Sequence, residues 1–86
     1  DIEQVLDDCT VLYDDFFTKP EEVQLIIANM MFNLGRTRLS NFIRMRKAVN
    51  EGNYAEAKIQ MLDSKWAKQV PNRAKRLSDR MGSISV

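Results

Sequence analysis

Apolar positions recur at intervals of three and four along nearly the whole chain, and no segment shows the strict alternation that a half-buried strand requires. At the start, Ile2, Val5, Leu6, Cys9, Leu12, Tyr13, Phe16 and Phe17 fall on one face, while Glu3, Asp7, Asp8, Asp14 and Asp15 fill the other positions. This predicts a long acidic amphipathic helix over residues 1–17. Thr18-Lys19-Pro20-Glu21 then reads as a helix start, with a threonine cap, an early proline and a glutamate placed to bond back. Residues 20–34 carry Val23, Leu25, Ile26, Ile27, Ala28, Met30, Met31, Phe32 and Leu34. A helix apolar on most of its sides belongs at the centre of a domain, and Gly35 would end it.

The helices of residues 36–81 are shorter. A turn around Arg36 to Leu39 leads into a stripe of Leu39, Phe42, Ile43 and Val49, with Arg44, Arg46 and Lys47 outside it and Gly52 beyond. Asn53-Tyr54-Ala55-Glu56 is a second capping box, opening a helix to about Leu62. Ser64 caps a turn containing Trp66, and Pro71 occupies a first helical position before Ala74, Leu77 and Met81. The expected fold is all-α, a compact bundle of five or six helices forming a single helical domain over residues 1–86.

A domain of this size buries roughly 60 to 65% of the surface of its unfolded chain, so a ligand site is expected as a surface groove. The longest uninterrupted apolar run, Leu25-Ile26-Ile27-Ala28, is too short to span a bilayer, and no basic-then-apolar leader precedes it. The chain is therefore expected to be soluble, without a membrane partner. A first residue of Asp1 fits a processed chain, a fragment or an excised domain.

With one cysteine and no histidine, an internal disulfide, the usual zinc sets and Ser-His or Cys-His nucleophiles are excluded. No metal or other cofactor is expected. Cys9, on an apolar helix face, is read as a small core hydrophobe. The net charge of +1 conceals a polarity: residues 1–22 hold eight carboxylates against Lys19, and residues 23–86 hold twelve cations against Glu51, Glu56, Asp63 and Asp79. Either the acidic first helix faces a basic part of the fold, or the basic part faces an anionic partner.

Glycoside hydrolysis needs a carboxylic acid and a carboxylate on opposite sides of a sugar bond. Asp14 and Asp15 with Glu21 and Glu22 are the available pairs, but neighbours on a helix diverge and first-turn glutamates suit the helix dipole. Capping and solvated roles account for them, so no catalytic residue is assigned. Trp66, Gln69, Asn72 and Arg73 are more suggestive, since an aromatic face stacks on a sugar while amides and a guanidinium hold acetamido and carboxylate groups. The competing reading makes Trp66 a core anchor with its indole N–H satisfied. Phe32 and Asn33, just before Gly35, share this dual status, whereas Asn29 is expected to be buried and bonded to backbone. Arg36, Arg38, Arg44, Arg46 and Lys47 read as a solvated face, lacking the interleaved aromatics of a nucleic-acid site.

The order of features from about Val23 to Arg76 resembles the C-terminal lobe of a phage-type lysozyme, a muramidase. The pieces are Ala28-Asn29-Met30-Met31-Phe32-Asn33-Leu34-Gly35, the Phe42 to Met45 segment, Ser64-Lys65-Trp66 and Pro71-Asn72-Arg73-Ala74-Lys75-Arg76. The first helix is similar in pattern to the long helix joining the two lobes of that family. The resemblance implies cleavage of peptidoglycan between N-acetylmuramic acid and N-acetylglucosamine, in a cleft between lobes. It implies that Phe32 and Asn33 line the C-terminal side, Trp66 supports the floor and Arg73 approaches the catalytic glutamate. Asn33 stands where the family usually has glutamine. The catalytic N-terminal lobe of the family has no counterpart in this chain.

Three functions follow as expectations. The chain is a lysozyme C-lobe that is inactive alone and needs a separate catalytic lobe, its partners being that lobe and a peptidoglycan strand. Alternatively it is a non-catalytic peptidoglycan-binding or protein-interaction module. The least supported reading is a basic helical domain for nucleic acid. A lobe built to pack on another would expose an apolar patch near Phe32 and the first helix, favouring self-association. If phage-encoded, it would reside in the host cytoplasm before reaching the cell wall.

Overall fold

The computed structural model describes residues 1–84, in which six helices and one 3-10 turn follow in order and no strand occurs among the described residues. The fold is all-α. Helix α1 runs Ile2–Leu12, opened by the Asp1 carboxylate accepting from the Gln4 amide at 2.8 Å. The expected helix over residues 1–17 stops here, because Tyr13 turns to an extended conformation and Asp15 adopts the left-handed region at φ 49°. The Asp14-Asp15 pair competes for backbone bonds and tolerates this bend. A 3-10 turn at Phe16–Thr18 then brings Phe16 under the fold while Phe17 stays 60% exposed. The Thr18 hydroxyl donates to the Asp15 carbonyl and so does not cap the next helix, whose first turn lacks a side-chain cap.

Helix α2 spans Glu21–Ser40 but is broken at Gly35, where φ 80° and ψ 166° are non-helical. Its first part, expected to be apolar nearly all round, is two-sided: Val23, Ile26, Ile27, Met30 and Met31 are buried, whereas Leu25 and Phe32 are exposed. The break turns the short Arg36 to Ser40 segment so that Leu39 is fully buried. Helices α3 (Ile43–Asn50), α4 (Tyr54–Leu62), α5 (Lys65–Gln69) and α6 (Pro71–Gly82) complete the bundle. On α3 the inner face is Met45, Ala48 and Val49, while Ile43, assigned to that face from spacing, points to solvent. The shift follows from the later helix start, since Phe42 is non-helical and the register is set by residues 43–50.

The caps at Asn53 and Ser64 form: their side-chain oxygens accept from the amides of Glu56 and Ala67 at 3.3 and 3.2 Å. The Glu56 carboxylate instead accepts from Gln60, so the capping box at Asn53 is half formed. The most extensive helix pairing is α4 on α6, where Ala57 and Met61 meet a face of Ala74, Leu77, Ser78 and Met81. Two ion pairs join the acidic start to the basic remainder, Asp8 with Arg36 at 3.4 Å and Glu22 with Arg80. The hydrogen bond from Arg80 holds the Glu22 carboxyl below its ordinary range. Both pairs lie at the surface and contribute little to stability beyond orienting the helices.

Gly35 tests how strongly the break in α2 is imposed by the backbone. An added Cβ would meet nothing within 4 Å, so Gly35→Ala carries no steric clash and only the cost of the non-helical, positive-φ conformation. We expect it to lower unfolding free energy by about 1–3 kcal/mol in urea titration. A neutral result would mean that the break relaxes without cost.

Candidate functional site

Two grooves, rather than one corner, receive the residues singled out in the sequence. The first is built by α5. Ser64 caps this helix while its hydroxyl donates to the Met61 carbonyl at 2.7 Å, tying α5 to the end of α4 and turning Trp66 inward. Trp66 is only 5% exposed and meets Phe42 edge-on, with ring centroids 6.3 Å apart and planes at 74°. The anchor reading of Trp66 therefore holds for its packing, but not for its N–H, because the buried Nε1 has no hydrogen-bond partner. The open space beside this pair has a volume of about 720 Å³. Leu34, Phe42 and Trp66 give it an apolar lining, while Arg38, Arg44, Lys65, Gln60, Gln69 and Asp63 are among its polar residues.

The second groove lies between α1, α2 and the start of α6 and has a volume of about 410 Å³. Pro71 opens α6, so Arg73 sits in its first turn and reaches across to α2. The Arg73 guanidinium donates to Asn33 Oδ1, and Asn33 Nδ2 donates to the Asn29 carbonyl and side-chain oxygen at 2.8 and 2.9 Å. Arg73, Asn33 and Asn29 thus form a directed chain along one rim. Asn29 is exposed, contrary to the expectation of a buried amide, because it lies on the outward side of α2. The rest of the lining is apolar: Ile2, Val5, Leu6, Leu25, Ala28 and Phe32. Phe32, Ile2 and Leu25 are 72, 74 and 53% exposed, so an apolar patch joins α1 to the end of the central helix.

The structure thus brings Phe32, Asn33 and Arg73 together in one groove and Trp66 with Gln69 in the other. Asn72 is exposed on α6 and lines neither. The division has a simple cause, since Trp66 and Arg73 belong to different helices separated by the non-helical Val70. Sequence reading missed Arg38, Arg44, Lys65 and Gln60 at the Trp66 groove. Arg38 and Arg44 flank the Ser40-Asn41-Phe42 bend, and that bend brings two residues assigned to a solvated face around one aromatic.

The carboxylates weighed as catalytic pairs lie elsewhere. Asp14 and Asp15 are exposed at the end of α1, and Glu22 is engaged by Arg80. None of these three, nor Glu21, lines either groove. Burial pushes the Cys9 thiol up to about 11, with the Asp8 carboxylate adding to the rise, so Cys9 is a poor nucleophile at neutral pH. Tyr13 is raised too, chiefly by burial and against the pull of Arg46, and its hydroxyl lies 4.0 Å from Met45 Sδ. Among the described residues no cluster of three acidic, cysteine or histidine side chains could hold a metal ion, and no helix is long and apolar enough to cross a membrane.

Over 54 residues the chain is 35% identical to two proteins of Dictyostelium discoideum named probable T4-type lysozyme 2 and probable T4-type lysozyme 1. The matched stretch covers 63% of this chain and 32% of each relative, so it corresponds to a partial lysozyme-like domain. The chain spans about a third of the length of the curated relatives it matches. No family model matches the chain, and no solved structure matches it.

The unpaired indole N–H makes the packing of Trp66 separable from its polarity. Trp66→Ala should cost about 3–5 kcal/mol by emptying the space against Phe42. Trp66→Phe, which keeps an aromatic ring and removes a buried unsatisfied donor, should cost distinctly less, within about 2 kcal/mol of the parent in urea titration. Equal losses would show that the N–H carries a bond.

Proposed function

We propose that this chain is the C-terminal lobe of a peptidoglycan-degrading lysozyme, forming one side of the glycan cleft and requiring a separate catalytic lobe for hydrolysis. The observation that carries this reading is the groove in which Arg73, fixed by Asn33, stands beside an exposed Phe32. A guanidinium held at the rim of an apolar groove can orient a carboxylate, and the groove offers none of its own. In this reading, a partner lobe brings the acid that protonates the glycosidic oxygen, and Arg73 holds that group in register with the substrate. The apolar lining of Ile2, Leu25 and Phe32 would be covered in the same step. Sequence similarity to T4-type lysozymes supports the family context.

A non-catalytic wall-binding module is the second reading. The Trp66 groove supports it, with an aromatic pair beside amide and cationic side chains of a kind that can hold a sugar.

Turbidity clearing of a peptidoglycan suspension separates the two. The chain alone should leave the suspension turbid, and adding the N-terminal lobe of a T4-type lysozyme should restore clearing. Arg73→Gln should reduce the restored rate by more than about tenfold, equivalent to about 1.4 kcal/mol. Clearing by the chain alone would overturn the requirement for a second lobe. Retention on insoluble peptidoglycan without any restored clearing would favour the wall-binding module.

A further inference from the structure

The face of the second groove is polarised from one edge to the other. Helix α2 packs against both α1 and α6, so its exposed Leu25 and Phe32 lie between a wall from α1 and a wall from α6. On the α1 side, Glu3 and Asp7 follow the lining residues Ile2 and Leu6 in sequence and are exposed. Neither carboxylate has a cation within 4 Å among the described residues. On the α6 side, Arg73 continues into an adjoining hollow with Arg76, and neither guanidinium has a carboxylate within that distance. The other charges of this region are engaged, Asp8 by Arg36, Glu22 by Arg80, and Asp79 by Lys58 and Lys75. A face that is acidic along one edge, apolar in the middle and basic along the other is complementary to itself. A two-fold axis running along α2 lays the α1 of each copy over the α6 of the other and closes the two apolar strips together.

We propose that this chain pairs with a second copy of itself through the Ile2, Leu25 and Phe32 face, as a two-fold dimer in which Glu3 and Asp7 of each copy meet Arg73 and Arg76 of the other. A specific interface takes roughly 800 Å² from each partner, and three exposed apolar side chains fall short of that area. The charged edges therefore have to close as well, which makes the dimer weak, sensitive to salt and dependent on both edges. One consequence rests on the function proposed above: a catalytic lobe that docks on this same face has to displace the second copy, so self-pairing withholds Arg73 until it does.

Sedimentation equilibrium of the intact chain at low salt, from low micromolar to near-millimolar concentration, tests the dimer. The average mass should rise from that of one chain toward that of two, and association should weaken as salt rises. Phe32→Ser, at an exposed position outside the core, should weaken association at least about tenfold. Asp7→Lys and Arg76→Glu each bring like charges together across the contact and should each weaken it about tenfold. An equimolar mixture of these two variants should recover the parent association, because the two reversed charges then face each other and the unaltered Arg76 faces the unaltered Asp7. Recovery on mixing also shows that both variants are folded. A single-chain mass at every concentration, association indifferent to Phe32→Ser, or no recovery on mixing while both variants stay helical by circular dichroism would each overturn the dimer. Mass reads self-pairing alone. A monomer that restores clearing with an added lobe would remove the dimer and keep the two-lobe reading, and a dimer that never restores clearing would do the reverse.

Discussion

The burial of one face of α2 is the constraint on which the rest of this molecule depends. Val23, Ile26, Ile27, Met30 and Met31 are essentially removed from solvent, and so small a domain has only one such centre. Helix α1 packs on it with Cys9 buried, Tyr13 just beyond α1 and Phe16 of the 3-10 turn join the same core, and α6 also contacts α2. Because α2 buries only one face, its other side remains outward, and that side carries Leu25, Asn29, Phe32 and Asn33. The second groove is therefore a direct consequence of how the core is divided. The break at Gly35 then sends the chain around to Phe42 and sets the first groove.

The two grooves are held by different physics. Arg73 and Asn33 are joined by hydrogen bonds at the surface, which fix direction more than they stabilise. Trp66 is fixed by packing on Phe42, and its unsatisfied N–H lowers the stability that the same packing supplies. The first groove sets aromatic packing beside Arg38, Arg44 and Lys65. The second groove sets Arg73 and Asn33 along an apolar lining that is largely exposed.

Much of this was legible in the chain because helix signals are local. Asn53, Ser64 and Pro71 act where their chemistry predicts, and Gly35 interrupts α2 where a positive φ is needed. The errors arose where tertiary packing overrode periodicity. A continuous pattern from Ile2 to Phe17 concealed a bend, because Asp14 and Asp15 could serve equally as an outer helix face or as turn residues. Likewise Leu25 and Ile43 matched an inward spacing, yet the direction each faces was decided by neighbours far away in sequence. At the candidate sites the residue types were readable, but their partition was not. Trp66 and Arg73 are seven positions apart, and only the change of helix axis at Val70 sends them to separate grooves. The cations of the Trp66 groove come from three segments that the sequence alone does not bring together.

Helix α2 is the stable centre of this chain taken by itself. Native-state amide hydrogen exchange on the isolated chain tests that claim most directly. It predicts that the amides of Ile26 to Met31 exchange slowest, at the free energy of global unfolding, while those of α1 open more readily. Uniformly fast exchange through Ile26 to Met31 would contradict it, because the core would then depend on a surface this chain does not contain.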